Sequence, residues 1–190
     1  LNSISTLVLL KQTEPANAML SRLSSFLRYT LVNEPTGRVT VAQEVETLKL
    51  YLEIVRMRFE ERLRTSFRID PVTETALLPS LLLQPLVENA LYHGIKNKRQ
   101  RGMINVRARR KGEDEILLEV EDDGIGFTPE KLHQLRAELN EDQGDIKLES
   151  GFGLGNVNKR IRLYYGEPYG LSVQSDYMSG TCVTLVIPAK

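Results

Sequence analysis

The stretch Gln84-Pro85-Leu86-Val87-Glu88-Asn89-Ala90-Leu91-Tyr92-His93-Gly94 is largely apolar but carries Glu88, Asn89 and His93. Its pattern predicts the end of a helix over residues 77–94, with Pro79 near the start and Pro85 as a kink or restart. Asn89 and His93 lie four apart, so an α-helix would put them on one face. Two glycine-rich stretches follow. Asp122-Asp123-Gly124-Ile125-Gly126 comes directly after a strand pattern, and Gly151-Phe152-Gly153-Leu154-Gly155-Asn156 opens a helix pattern. Short Asp-Gly and Gly-x-Gly runs are ordinary turn chemistry, so neither is specific alone. Their order is the informative feature, joined by a Gly180-Thr181 pair in the last hairpin pattern.

The surrounding chain alternates strands with helices. Residues 65–70 alternate in a strand-like way until Pro71. Ile104, Val106 and Ala108, then Ile116, Leu118 and Val120, predict two paired strands joined by a turn at Lys111-Gly112. Thr128 caps a helix begun by Pro129-Glu130, residues 154–165 form another, and a hairpin around Ser179-Gly180 closes the chain. This predicts an α+β fold: a two-layer α/β sandwich on a mixed, mostly antiparallel sheet.

The first third is helical throughout. Leu1, Ile4 and Val8 keep helical spacing, and after Glu14-Pro15 so do Leu20, Leu23, Leu27 and Leu31. Gly37 breaks that run. Thr40 and Gln43 form a capping box, and Val41, Val45, Leu48, Leu52, Val55 and Phe59 step by four and three behind it. Such a seam packs on another helix across a dimer axis or lines the core of one bundle; three heptads do not separate the two. The chain divides at about residue 64 into a helical segment, 1–64, and an α+β domain, 65–190.

Composition narrows the function classes. Lys plus Arg and Asp plus Glu are 25 each, so no net field recruits nucleic acid or an anionic membrane. A single cysteine, Cys182, precludes an intramolecular disulfide framework, and with only two histidines a structural zinc site is not expected. The longest apolar run is far short of a membrane span of about 20 residues. Leu1 opens the chain without Met or a basic n-region, as a fragment of something longer would.

Together the three stretches resemble the N, G1 and G2 boxes of the GHKL (Bergerat) ATP-binding fold shared by histidine kinases, gyrase, chaperone ATPases and MutL. In the first third, Leu1-Asn2-Ser3-Ile4, Leu27-Arg28-Tyr29, Tyr51-Leu52-Glu53-Ile54 and Arg58-Phe59 resemble the LytS/YehU class of sensor histidine kinases. In that class the phosphoacceptor lies in a His-Phe-x-Phe-Asn motif a few residues before the Leu-Asn-Ser-Ile segment, so this chain is expected to start just after it.

The resemblance implies a role for each box. Asp122 accepts the exocyclic amine of adenine, with Gly124 and Gly126 admitting the base to the backbone. Asn89 offers an oxygen to Mg²⁺; the plainer alternative is a helix-end cap. In hydrolases of this fold the water-activating glutamate sits one turn before the Asn, where this chain has Pro85, which cannot act as a base. Glu88 is rotated about 100° from Asn89 on an α-helix and either assists the metal or faces solvent. His93 sits near phosphate or ribose, or is a surface group on a last turn. Relatives carry Lys before that His; Tyr92 stands there, leaving Lys96, Lys98 and Arg99 as possible phosphate cations. Gly151, Gly153, Leu154, Gly155 and Asn156 form an anion site for the triphosphate at a helix start, with Thr181 a further nucleotide contact. Residues 136–150 form an ATP lid carrying Lys147. Asp123 replaces the usual Asn.

The expected function is therefore the kinase portion of a two-component sensor: Mg²⁺-ATP binding and γ-phosphoryl transfer to a histidine upstream of Leu1. The expected partners are a second copy, through the helical segment, and a LytTR-type response regulator, with no nucleic acid. The parent is expected to be a membrane-anchored bacterial sensor, this piece facing the cytoplasm. The alternatives are an ATPase of gyrase, chaperone or MutL type, and a non-catalytic dimerisation module.

Overall fold

A computed structural model describes residues 2–32, 37–59, 62–96, 98, 100–140 and 153–189, with the backbone alone described at residues 2, 3, 29–32, 57 and 58. Helix α1 (Asn2–Leu9) folds against α2 (Thr13–Val32), and Ile4, Ala16 and Met19 are buried. Val8, Leu9, Leu20 and Leu27 remain exposed. A short strand β1 (Arg38–Thr40) leads into α3 (Val41–Phe59). The capping box forms as expected: Thr40 N–H donates to Gln43 Oε1 at 2.9 Å, and Gln43 N–H to Thr40 Oγ1 at 3.2 Å.

The seam of α3 faces inward. Val41, Val45, Leu48, Leu52 and Val55 are buried, and Phe59 is partly so, in one cluster with Leu78, Leu86, Ile104 and Val106. Its partner is therefore this chain's own core. That settles an ambiguity the heptad spacing left open, because the same apolar stripe serves either purpose.

Five strands form the main sheet in the order β2-β4-β5-β7-β6. They are β2 (Leu63–Ile69), β4 (Gly102–Lys111), β5 (Glu115–Asp122), β6 (Gly170–Asp176) and β7 (Gly180–Pro188). β2 runs parallel to β4 and the other pairs are antiparallel. One face carries Ile104, Val106, Leu118, Val120, Val183 and Leu185, all buried. The other is a ladder of charge, with Arg107–Glu121 at 2.6 Å and Arg109–Glu119 at 3.2 Å. Helices α4 (Gln84–Asn89), α5 (Pro129–Asn140) and α6 (Leu154–Tyr165) make the second layer.

Two expectations are corrected. The helix expected from residue 77 begins only at Gln84. Leu77–Pro79 is instead strand β3, paired antiparallel with β1. Leu81 then takes φ 57°, a left-handed conformation through which a helix cannot propagate. Pro85 sits in the first turn of α4, where a missing N–H costs nothing, so it starts the helix rather than kinking it. Likewise residues 136–140, expected in a lid, are the last turns of α5. Arg136 donates to Val173 O at 2.9 and 3.1 Å, Leu139 is buried, and Asn158 Nδ2 holds Leu139 O at 2.8 Å. The rest of that stretch, with Lys147, and Gly151 lie outside the described residues, as does Arg99.

Candidate functional site

Asp122 is the last residue of β5, paired across the sheet with Thr181 of β7. Both are buried, and opposed residues on antiparallel strands project to the same face. Oδ1 of Asp122 accepts the Gly124 N–H at 2.8 Å, an Asx turn that swings the chain away from the sheet. Around this carboxylate the chain runs without side chains. A Cβ at Gly94 would collide with Asp122 Oδ1, and one at Gly180 with Asp122 O. Gly180, at φ 120°, could hardly be another residue. Gly94 O accepts the Ile125 N–H at 3.2 Å, so the N and G1 boxes are joined backbone to backbone. Burial, aided by the negative charges of Asp123 and Glu121, pushes the Asp122 carboxyl up to about 7; the Gly124 N–H and Lys98 oppose that rise.

Asp123 has a structural task of its own. Its Oδ1 accepts the Met103 N–H at 2.8 Å, and its Oδ2 pairs with Lys98 Nζ at 2.9 Å. Lys98 also donates to Asp123 O at 2.8 Å, which engages one of the cations expected to meet phosphate. Lys96 is exposed at the end of the preceding helical turn.

Asn89 ends α4, and the helix then widens into one π turn, Ala90–Ile95. Such wide turns are frequent at functional sites, and no residue pattern announced this one. The turn parts the expected pair: Asn89 is buried and His93 is exposed. Asn89 Oδ1 is buried without a hydrogen-bond partner among the described residues. A lone acceptor of that kind is costly unless something binds it. Glu88 beside it is half-buried and accepts Gln84 Nε2 at 2.9 Å. The Tyr51 hydroxyl of α3 faces it.

The other end of the same helix meets the third box. Gly153 precedes α6 with its Cβ position 3.7 Å from Pro85 Cβ, while Leu154 is fully buried. Nothing described comes within 4 Å of a Cβ at Gly155, and Asn156 is exposed on the first turn. The N-box helix therefore runs from the G2 box at Pro85 to the G1 box at Gly94, roughly 13.5 Å at about 1.5 Å per residue. Asn89 stands between the two ends. Among the described residues no group of three or more His, Cys, Asp or Glu could hold a metal, so a cation here would draw on Asn89 and on a bound ligand.

Sequence reasoning missed the fit of Gly94 against Asp122, the π turn, and the contribution of α3. One signal for the last was present: Glu44 lies on the apolar stripe, three residues after Val41 and four before Leu48.

Comparison with known proteins agrees with this fold. The family model described as histidine kinase-, DNA gyrase B-, and HSP90-like ATPase matches residues 77–190, and a histidine kinase model matches residues 1–63. The chain belongs to this ATPase family. The sensor histidine kinase BtsS of Escherichia coli is 33% identical over 189 residues, covering 98% of this chain and 30% of that protein. The sensor protein LytS of Staphylococcus epidermidis is 31% identical over 194 residues, covering all of this chain and 31% of that protein. The chain thus spans about a third of the length of these curated relatives. A histidine kinase domain from a blue-light-activated kinase of Erythrobacter litoralis shares the fold, with a TM-score of 0.55 at 15% identity over 96% of this chain and 83% of that one. No helix among the described residues is long and apolar enough to cross a membrane.

Proposed function

We propose that the chain is the kinase portion of a two-component sensor, binding Mg²⁺-ATP and delivering its γ-phosphoryl group to a histidine. The observation that carries the reading is the buried Asn89 Oδ1, without a hydrogen-bond partner among the described residues, on the helix that joins a buried carboxylate to a helix N-terminus. A nucleotide matches that spacing: the amine of the base on Asp122 beside Thr181, and the phosphates toward the first amides of α6 at Gly153, Leu154 and Gly155. The hard oxygen of Asn89 fits Mg²⁺, which when bound with the phosphates screens their charge. Gly124, Gly126, Gly151, Asn156, His93, Lys96 and Lys147 complete the proposed contacts, with Glu88 beside the metal ligand. Pro85, where a hydrolase of this fold would carry its glutamate, speaks against the gyrase- or chaperone-type alternative.

The proposed division puts the transfer and dimerisation remnant in 1–64 and the ATP-binding domain in 65–190. Leu20 and Leu27, exposed and seven apart on α2, support a second copy as partner. A LytTR-type response regulator and a membrane-anchored parent, with this piece on the cytoplasmic side, follow from the LytS likeness.

Calorimetric titration tests the site. Asp122→Asn should abolish ATP binding in a folded chain. Asn89→Ala should weaken Mg²⁺-ATP more than ATP with a chelator. Full affinity in the first variant, or equal losses in the second, would remove the corresponding assignment.

A further inference from the structure

Glu44 is the most deeply buried charged side chain described, 2% exposed on a stripe otherwise made of valine and leucine. Packing alone would be served there by another apolar residue. Its carboxylate instead reaches across to the turn before α4, where Oε2 accepts the Leu81 N–H and Oε1 the Leu83 N–H, both at 2.8 Å. That turn contains the left-handed Leu81, an unfavourable conformation for a γ-branched residue. Leu83, at the mouth of α4, has no side-chain cap of its own. The carboxylate of α3 therefore does what a local cap would do: it satisfies amides at the helix start and puts negative charge at the positive end of the dipole. Burial raises the Glu44 carboxyl, and the amide bonds pull against that rise.

Two turns along α3, the Tyr51 hydroxyl faces Glu88 and Tyr92, on either side of Asn89. Its ring lies 5.9 Å from that of Phe26 on α2, and Arg22 of α2 pairs with Glu53 of α3 at 2.9 Å. The helix that carries Glu44 is thus itself braced by α2.

We infer that Glu44 is a positioning residue for the nucleotide site, setting the start of α4, and through it the placement of Asn89, from within the N-terminal helical segment. This rests on the site reading above. Asp122 is held by β5 and the Asx turn and meets the N-box helix at Gly94, its far end from Glu44, so the two ends of the site should respond differently. In the 190-residue chain, Glu44→Gln is expected to lower Mg²⁺-ATP affinity by about tenfold, as the loss of one hydrogen bond to a charged group would. Binding of ADP in the presence of a chelator, which reports the Asp122 end, should stay within about twofold. Should Glu44→Gln fail to fold, Glu44→Asp, which keeps the carboxylate but shortens its reach to the two amides, decides alone. Unchanged Mg²⁺-ATP affinity, or parallel losses for both ligands, overturns the inference while leaving the site intact. A wild-type chain that binds neither nucleotide overturns the site and the inference together.

Discussion

Asp122 combines two demands that conflict. Recognition of an amine donor requires a carboxylate, and burial against Gly94 and Gly124 penalises its charge. The consequence for pH follows from sign. The folded chain holds this proton up to about pH 7, whereas the unfolded chain releases it near 3.8. Between those values the folded state binds more protons, so this group's contribution to stability falls as pH rises and levels off above about 7. A ligand amine needs the ionised form, so nucleotide affinity should move the other way, increasing from pH 6 to pH 8. Calorimetry across that range in two buffers of different ionisation enthalpy should show a proton released on binding at pH 6.5 and little at pH 8.5. Asp122→Asn, which removes the buried charge, should melt higher than wild type at pH 8 although it no longer binds ATP. A lower melting temperature there would contradict the burial penalty.

At the scale of elements, α3 is the informative helix. Its heptad stripe is indistinguishable in sequence from a dimer seam, yet Leu48 and Leu52 are almost fully buried within the chain's own core. Leu48→Ala should therefore cost about 2–5 kcal/mol of unfolding free energy as a core cavity does. The midpoint shift in denaturant should be independent of protein concentration, because the lost contacts are intramolecular. A loss that grows on dilution would return the stripe to an interface between copies. The exposed leucines of α2 make the opposite case, and substituting Leu20 or Leu27 should leave the unfolding midpoint near wild type at fixed oligomeric state.

For the whole molecule the governing question is where the phosphoryl group goes. The chain has two histidines. His93 is exposed on the π turn, and His133 is exposed on α5, a helix bound to β6 through Arg136. Neither is on the helical segment that resembles the transfer region, and in-line attack needs a ring nitrogen aligned opposite the leaving oxygen. These 190 residues should bind Mg²⁺-ATP without acquiring acid-labile, base-stable phosphate when given γ-labelled nucleotide. Joining a His-Phe-x-Phe-Asn segment ahead of Leu1 should restore labelling. Stoichiometric label on His93 or His133 in the shorter chain would overturn the assignment of the acceptor.

Local rules carried much of this fold. The capping box at Thr40, helix α6, the strand pair about Lys111-Gly112 and the last hairpin depend on neighbours within a few residues, so periodicity and turn chemistry sufficed to place them. The three boxes were legible as motifs for the same reason. What sequence alone left undecided depends on groups far apart in the chain. Residues 77–83 have the apolar content of a helix, but pairing of Leu77–Pro79 with β1 and the grip of Glu44 on Leu81 and Leu83 hold them in another form. Arg136 and Leu139 look like polar linker until β6 and Asn158 are brought against them. Gly94 is a common helix end in sequence, and only the approach of Asp122 makes its missing side chain a requirement. Sequence determined most of the elements and the order of the three boxes, because those rest on local energies; the folded chain decided which face each stripe buries and which backbone each buried carboxylate holds, because those energies exist only once distant segments meet.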